Sequence, residues 1–205
     1  MESSSEHLKK ILELVSLAER LKVERRNSRT SFDTKESVAD HSWRVALLAM
    51  LLAPTSGLSL DVEKVLKMAI IHDLPEIFSG DVPYFLTIDD PEAKSKKDQK
   101  EGEAIEQIRD IAGGQIGEEL YLLWHEYNEC QSTEAKFVKA LDKIEAQMQH
   151  NQADFQFWNE HDLKYAMTWL NSYCDFSDQL SKVRELVQQD SSSKIGGHSL
   201  ASIRL

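Results

Sequence analysis

The sequence predicts an all-α protein with one domain. Apolar residues recur at helical spacing along most of the 205-residue chain, and only 8 glycines and 4 prolines interrupt them. No alternating apolar and polar segment is long enough to indicate a buried strand, and the length itself favours one domain. We therefore predict a helical bundle over residues 1–189 and a flexible, Ser/Gly-rich tail over residues 190–205.

Composition limits the partners that this chain can have. The 35 acidic residues exceed the 24 basic ones, and the net charge of −11 disfavours a nucleic acid polymer, whose phosphates require basic neighbours. The longest apolar run, residues 45–53, is far shorter than the roughly 20 residues that cross a bilayer, so no membrane partner is expected. Two cysteines without a CxxC pair and a polar N-terminal segment indicate a cytoplasmic protein.

Spacing and capping residues define the helices of the first half. Residues 8–21 carry an apolar stripe that predicts the first helix, and a basic, polar segment follows over residues 22–35. That segment is also typical of a solvent-exposed linker. Ser37 and Asp40 form a capping-box pattern that opens a second helix, which Pro54 ends.

The same signals define the later elements. Asp61 caps a third helix, and Pro75 ends or bends it. A long loop over residues 80–91 follows, and such loops commonly form the edge of a site. The other predicted helices cover residues 94–112, 118–129, 134–150, 162–172 and 176–189.

Two of the seven histidines lie on otherwise apolar helices. His41 lies on the apolar face of the second helix, and His72 ends the third helix directly before Asp73. Taken alone, either histidine could be a residue at the edge of the hydrophobic core whose side chain makes one hydrogen bond. Glu76 and Asp81 follow closely, however, and place three carboxylates and an imidazole within about ten residues. Such a cluster at the end of an apolar helix indicates a functional site.

A further carboxylate interrupts the apolar stripe of the helix predicted over residues 134–150. Asp142 falls inside that stripe, where an ionised side chain costs several kcal/mol unless it is paired or bound to a metal. A salt bridge with Lys139 or Lys143 is the simpler explanation for Asp142 taken alone. A metal site becomes the stronger explanation when Asp142 is considered together with the two histidines.

His41, His72, Asp73 and Asp142 together supply two imidazoles and two carboxylates from three helices. This mixture suits a divalent metal ion such as Mn, Fe, Co or Zn, with Mg also possible. Such an ion lowers the pKa of bound water and polarises a phosphoryl oxygen. Glu76, near the metal but not bound to it, would then be the general base or acid.

The segments that contain these residues resemble the HD-domain superfamily of phosphohydrolases, and within it the 5'-deoxynucleotidases. They are ESVADHSWR at 36–44, LKMAIIHDLPEIFSGD at 66–81 and EAKFVKALDK at 134–143. LWHEY at 123–127 resembles the same branch, and the whole resemblance spans about residues 8–157.

The resemblance implies an HD-type helical fold, often as a homodimer, that holds one divalent metal ion. His41, His72, Asp73 and Asp142 match the metal ligands of the family in order. The implied substrate is a small phosphorylated nucleotide. The implied reaction removes the 5'-phosphate from (deoxy)nucleoside monophosphates by means of a metal-activated water.

The resemblance also assigns roles to residues around the metal. Glu76 would transfer protons, and Asp81 would organise the water or the sugar side of the substrate. Arg26 is the best match to an arginine that holds the substrate phosphate, although Arg25 or Arg29 could take that place. No tryptophan lies next to Arg26, so the preference for deoxyribose over ribose stays open.

Two alternatives to this reaction remain. One is another HD-domain activity, on a nucleoside triphosphate, an alarmone or a cyclic nucleotide. Dinuclear relatives need further histidine ligands, and His125 and His150 lie outside the matched segments, which favours one metal. The other alternative is a non-catalytic module that binds a nucleotide. Glu76 and Asp81 argue against it, because a binding module does not need a group that transfers protons.

Overall fold

Helices form most of a computed structural model that describes residues 4–201. The helices are α1 (Ser4–Ala18), α2 (Val38–Leu52), α3 (Val62–Ile71), α4 (Glu76–Ser79), α5 (Pro91–Ala112), α6 (Gly114–Glu129), α7 (Thr133–Gln152), α8 (Glu160–Tyr165), α9 (Asn171–Cys174) and α10 (Asp178–Ala201). Short 3-10 turns cover Glu19–Lys22, Ala53–Thr55, Tyr84–Leu86 and Phe155–Phe157. The all-α prediction is confirmed. None of the helices in the described part of the chain has the length and apolar character needed to cross a bilayer.

Helix α7 lies at the centre of the core. It packs against α2, α3, α6 and α10, and Phe137, Leu141 and Ile144 on it are fully buried. Burying each of these side chains stabilises the fold by about 1.5–3 kcal/mol. The helix begins at Ser132, whose side chain caps it by accepting a hydrogen bond from the backbone of Ala135. Because α7 is surrounded by other helices, polar residues on its inner faces are carried into the interior.

Helices α2 and α3 pack against each other and against α7. The predicted capping box of Ser37 and Asp40 is present at the start of α2, and Asp61 caps α3 by accepting from the backbone of Lys64. These caps fix where each helix begins and therefore which residues face the core. His41 falls on the buried face of α2.

The basic segment forms a short β-hairpin, which its sequence pattern did not indicate. Strand β1 (Arg25–Arg29) pairs antiparallel with strand β2 (Lys35–Ser37), and the pairing is irregular between Arg25 and Arg29. Its inward residues are polar: Arg26 is partly buried and Ser28 is buried, whereas their neighbours on β1 are more exposed. Residues along β1 therefore alternate between more buried and more exposed, but all of them are polar. The sequence pattern did not reveal the strand for this reason.

Hydrogen bonds join the beginning of the predicted C-terminal tail to α7. Helix α10 continues through much of the segment 190–205, and the side chain of Ser191 is fully buried. Its hydroxyl contacts Asn151 at 2.8 Å and Gln147 at 3.2 Å, both on α7. These bonds hold Ser191 against α7, a contact that the composition of the segment did not indicate. The domain boundary at residue 189 stays a prediction, and residues 202–205 lie outside the described residues.

The ends of several helices differ from those predicted. Helix α5 begins at Pro91 rather than near residue 94, because Asp90 caps it through the backbone of Glu92. The helix predicted over 162–172 is divided into α8 and α9. Between them, i to i+3 hydrogen bonds such as Thr168 N to Tyr165 O at 2.9 Å form a turn.

The apolar stripe of α1 faces solvent to a larger extent than its pattern predicts. Leu8, Leu12 and Val15 each expose more than half of their surface, while Leu21 beyond the helix is buried. Helix α1 lies at the periphery and packs mainly against α5. One neighbouring helix is too narrow to cover the whole stripe.

Close packing of α5 against α6 depends on Gly117. A Cβ atom there would lie 2.2 Å from the carbonyl oxygen of Arg109 on α5, a backbone atom that cannot move aside. We expect Gly117→Ala to lower the free energy of unfolding by about 1–3 kcal/mol, the usual cost of overpacking. Chemical denaturation measures this change.

Gly102→Ala on α5 is the matched control, because nothing lies within 4 Å of a Cβ at that helical position. It should leave the protein unchanged or stabilise it by about 0.5–1 kcal/mol, since alanine suits a helix better than glycine does. Equal stability of the two variants would show that the α5–α6 contact does not require glycine.

Candidate metal centre

Three of the four predicted ligands form a compact cluster. Nε2 of His41 on α2 lies 3.4 Å from Nε2 of His72, which follows α3. Oδ2 of Asp73 lies 3.3 Å from Nε2 of His72 and 3.7 Å from Nε2 of His41. One donor atom from each of these residues lies within 4.8 Å of the others. The cluster is therefore small enough for one cation.

Asp142 lies beside this cluster and also forms the salt bridge that was considered as the alternative. Its Oδ1 is 3.3 Å from Nε2 of His41. Its Oδ2 accepts a hydrogen bond from the hydroxyl of Tyr127 at 2.7 Å and lies 2.9 Å from the ammonium of Lys143. Lys139 places its ammonium over the ring of Tyr127 instead. One carboxylate oxygen of Asp142 thus faces the cluster while the other is held in place.

Both histidines are oriented so that Nε2 faces the cluster. Nδ1 of His72 lies 2.9 Å from the backbone carbonyl of Ala69 and donates to it. Nδ1 of His41 contacts the carboxylate of Glu145 on α7. With Nδ1 engaged in each ring, Nε2 is the nitrogen available for a metal. Two imidazole nitrogens with carboxylate oxygens fit a divalent metal of intermediate hardness.

The charged groups of the cluster shift one another's pKa values. Burial and the charge of Arg26 lower the pKa of His41, but hydrogen bonds with Asp142 and Glu145 outweigh them and raise it to about 9. Burial alone would raise the pKa of Asp73. The charges of both histidines and of Arg26, with a hydrogen bond from His72, hold it well below its ordinary value instead. Asp73 is therefore ionised and available as a ligand.

Glu76 and Asp81 lie close to the cluster but have different surroundings from the ligands. The side chain of Glu76 is buried, and its Oε2 has no hydrogen-bond partner among the described residues. Burial and the nearby charges of Asp73 and Asp81 raise the pKa of Glu76 well above its ordinary value. Burial also raises the pKa of Asp81. Glu76 is thus a carboxyl group next to the cluster that binds its proton more tightly than an ordinary glutamate does.

Of the three candidate arginines, Arg26 reaches the cluster. Its Nη1 lies 3.3 Å from Oδ2 of Asp73 and 4.0 Å from Oδ1 of Asp81, and its Nε lies 3.2 Å from Oε2 of Glu36. Burial would lower the pKa of Arg26, but these three carboxylates raise it. The guanidinium therefore remains charged on the inner side of the hairpin.

The other two arginines of β1 point away. Arg25 donates to the backbone carbonyl of Lys35 at 3.2 Å, across the hairpin. Arg29 pairs with Asp33 at 2.7 Å and lies over the ring of Phe157. Alternation along the strand separates them from Arg26, so the geometry favours Arg26 among the three.

A cleft opens beside the cluster, next to Asp142 and Arg26. Arg26, Asp81, Asp142 and Lys143 line it on the side of the cluster. The wall formed by the long loop and by the C-terminal half is largely aromatic, and it consists of Tyr84, Phe85, His161, Tyr165 and Trp169. A cleft that combines an aromatic wall with a few polar and charged groups is typical of sites for small organic ligands.

Glu36 and Glu145 also belong to the site, although the site predicted from the sequence did not include them. Both are buried, and their carboxylates form a second group of donor atoms with His41, all within 4.8 Å of one another. A signal existed for Glu145, which follows Asp142 by three residues and so lies on the same inner face of α7. Glu36 gave no such signal, because it lies on the strand that was not recognised.

Comparison with known proteins identifies the family of this fold and cluster. The family model described as HD domain matches residues 18–184. The chain therefore belongs to the HD domain family.

Its relatives include enzymes named for their action on deoxynucleotides. The chain is 39% identical over 119 residues to 5'-deoxynucleotidase HDDC2 of Dictyostelium discoideum, which covers 56% of this chain and 60% of that protein. It is 37% identical over 114 residues to the human protein of the same name, covering 56% and 52%. 5'-Deoxynucleotidase hdd1 of Schizosaccharomyces pombe is 34% identical over 138 residues, covering 65% and 66%. The matches thus span about half to two thirds of the relatives' own lengths.

Solved structures share the fold over most of the chain. A predicted metal-dependent phosphohydrolase from Magnetospirillum magnetotacticum MS-1 has a TM-score of 0.75, 21% identity, and coverage of 92% of this chain and 96% of its own. That likeness shows the fold alone. The PH0347 protein from Pyrococcus horikoshii OT3 has a TM-score of 0.57 and 30% identity, covering 85% and 99%.

Proposed function

We propose that this chain is a metal-dependent phosphomonoesterase that removes the 5'-phosphate from (deoxy)nucleoside monophosphates. The observation that carries the proposal is the convergence of His41, His72 and Asp73 next to the guanidinium of Arg26. A cluster of possible metal ligands beside a partly buried arginine suits a phosphate that is to be both bound and polarised. The names of the relatives support a nucleotide as the substrate.

His41, His72, Asp73 and Asp142 would hold one divalent metal ion. The two imidazoles and two carboxylates suit Mn, Fe, Co or Zn, with Mg also possible, and they do not select one of these. When bound, such an ion lowers the pKa of water and polarises a phosphoryl oxygen. Asp142 keeps one oxygen for this purpose, because Tyr127 and Lys143 hold the other.

Arg26 and Glu76 would handle the substrate and its proton. The planar guanidinium of Arg26 can hold two phosphoryl oxygens at once, which fixes phosphorus beside the cluster. The oxygen of water forms the new bond to phosphorus, and the bond from phosphorus to the 5'-oxygen breaks. Glu76 donates its proton to that leaving oxygen, and the carboxylate that remains accepts the proton that the attacking water loses. Asp81, 4.0 Å from Arg26, would organise the water or the sugar side.

The aromatic wall of the cleft would take the nucleoside. Tyr84, Phe85, Tyr165 and Trp169 offer flat apolar surfaces, and a base has a flat face that stacks on such rings. The cleft joins this wall to the cluster, so one ligand can place its phosphate at Arg26 and its base among the rings. These features favour a nucleoside monophosphate over a substrate without a base.

A phosphatase screen of the metal-stripped protein tests the proposal. Mn, Co and Mg are each supplied with ribo- and deoxyribonucleoside 5'-monophosphates, with nucleoside triphosphates, with an alarmone and with cyclic nucleotides, and released phosphate is followed. We expect metal-dependent phosphate release from 5'-monophosphates. Turnover of another class would favour another HD-domain activity. Binding without turnover under every metal would indicate a nucleotide-binding module.

We also propose that the protein is a homodimer and is cytoplasmic. The family resemblance supports the dimer, and the exposed stripe of Leu8, Leu12 and Val15 on α1 offers an apolar face for a second copy. Light scattering of the wild-type protein should report two chains, and Leu12→Glu should shift it toward one. A wild-type monomer at micromolar concentration would contradict the dimer.

A further inference from the structure

We propose that Glu145 is a positioning residue that orients His41 for metal binding. This inference rests on the metal centre of the proposed function, but it concerns a residue outside the ligand set. Glu145 lies on α7, about one turn after Asp142, and its side chain is fully buried. Its Oε2 contacts Nδ1 of His41, which is also fully buried.

The contact determines which nitrogen of His41 faces the cluster. A carboxylate only accepts, so Nδ1 of His41 carries the proton and donates it to Glu145. Nε2 is then directed to the cluster, 3.3 Å from Oδ1 of Asp142 and 3.7 Å from Oδ2 of Asp73. A charged partner also makes the ring a stronger electron donor than a neutral one does. His72 has a neutral partner, a backbone carbonyl, so the two histidines are supported differently.

Glu145 is itself fixed by a network that reaches the hairpin. Its Oε1 lies 3.1 Å from Nη1 of Arg44, which also donates to the side-chain oxygen of Gln149. The amide nitrogen of Gln149 donates to the backbone carbonyl of Arg29 at 2.6 Å. Arg29 belongs to β1, the strand that carries Arg26. One buried network therefore supports both a metal ligand and the strand with the phosphate-binding arginine.

The same carboxylates do not form a second cation site. Glu36 and Glu145 lie close together with His41, but arginines already neutralise them. Oε2 of Glu36 accepts from Ser28 at 2.6 Å and lies 3.2 Å from Nε of Arg26. Oε1 of Glu145 pairs with Arg44. The guanidinium groups of Arg26 and Arg44 thus pair with Glu36 and Glu145. Glu145 therefore acts on His41 as a positioning residue and not as a ligand of a second cation.

Metal affinity of the full-length, metal-stripped protein tests this role, with Mn²⁺ or Co²⁺ alone as the probe in titration calorimetry. Glu145→Ala should weaken binding about 10–100-fold, the usual effect of losing such a partner. Glu145→Gln should weaken it less, because its amide oxygen still accepts from Nδ1 but lacks the charge. Glu134→Gln is the matched control on the same helix, since Glu134 pairs with Lys64 at 3.3 Å rather than with a histidine. It should bind as wild type does.

The inference is wrong if folded Glu145→Ala binds metal as tightly as wild type, or if wild type binds two ions per chain. A measurement on the wild-type protein tests the inference even if the variants do not fold. Nuclear magnetic resonance of the zinc-loaded, nitrogen-labelled protein should find the proton of His41 on Nδ1, and a proton on Nε2 would overturn the inference. These readouts do not depend on turnover. A wild type that binds metal but hydrolyses no nucleotide would contradict the proposed function alone.

Discussion

Asp73→Ala should abolish metal binding and phosphate release together. Oδ2 of Asp73 lies 3.3 Å from Nε2 of His72, 3.7 Å from Nε2 of His41 and 3.3 Å from Nη1 of Arg26. No other carboxylate in the described residues has all three contacts. Loss of a partner outside the ligand set already weakens metal binding about 10–100-fold, so loss of a ligand should exceed about 100-fold.

The metal content of the purified variant and its rate of phosphate release measure this effect. Asp98→Ala is a control, because Asp98 is exposed on α5 and, among residues 4–201, pairs with Lys94 alone, one turn earlier on the helix. It should keep both the metal and the activity. A folded Asp73→Ala protein with wild-type metal content would contradict the ligand assignment.

Glu76→Gln should keep the metal and lose most of the turnover. Glutamine has nearly the same size as Glu76 but cannot donate a carboxyl proton, so kcat should fall by about 10²–10⁴-fold, the usual contribution of a general acid or base. Because Glu76 lies outside the ligand set, metal affinity and KM should change little. Steady-state kinetics with metal titration separates these quantities.

The pH profile gives a second test of Glu76. Burial and the charges of Asp73 and Asp81 raise the pKa of Glu76, so this carboxyl group keeps the proton that the leaving oxygen requires to a higher pH than an ordinary glutamate does. The wild-type kcat should therefore fall as pH rises through that pKa, because the proton is lost. Glu76→Gln should lack this descending limb. Wild-type activity in the variant would exclude the proton-transfer role.

The cluster could be predicted because each member interrupts a local pattern. His41 and Asp142 interrupt apolar faces of helices, and His72 with Asp73 ends one. Because burying a polar group is unfavourable without a partner, these positions indicate a site from the sequence alone. Amphipathic periodicity also predicted most helices, since each buries one face. Spacing along the chain does not fix the distances between helices. The expectation that the four residues bind one metal ion together was therefore supported by the family resemblance.

The contacts that the supporting residues make were beyond prediction for a physical reason. Glu145 and His41 are separated by 104 positions, and a salt-bridged acid on a helix has no pattern that names its partner. The hairpin was missed because Arg26 and Ser28 face inward, although strands usually bury apolar residues. Ser191 is buried through hydrogen bonds, which composition does not report.

The central claim is that this chain hydrolyses a nucleoside 5'-monophosphate with the help of a metal held by His41, His72, Asp73 and Asp142. The most direct measurement supplies a deoxyribonucleoside 5'-monophosphate in water labelled with heavy oxygen, with metal-stripped, metal-loaded and Asp73→Ala protein. We predict equal amounts of nucleoside and phosphate from the metal-loaded wild type alone, with the label in the phosphate. Label in the nucleoside, or no products from metal-loaded wild type that binds the nucleotide, would contradict the claim.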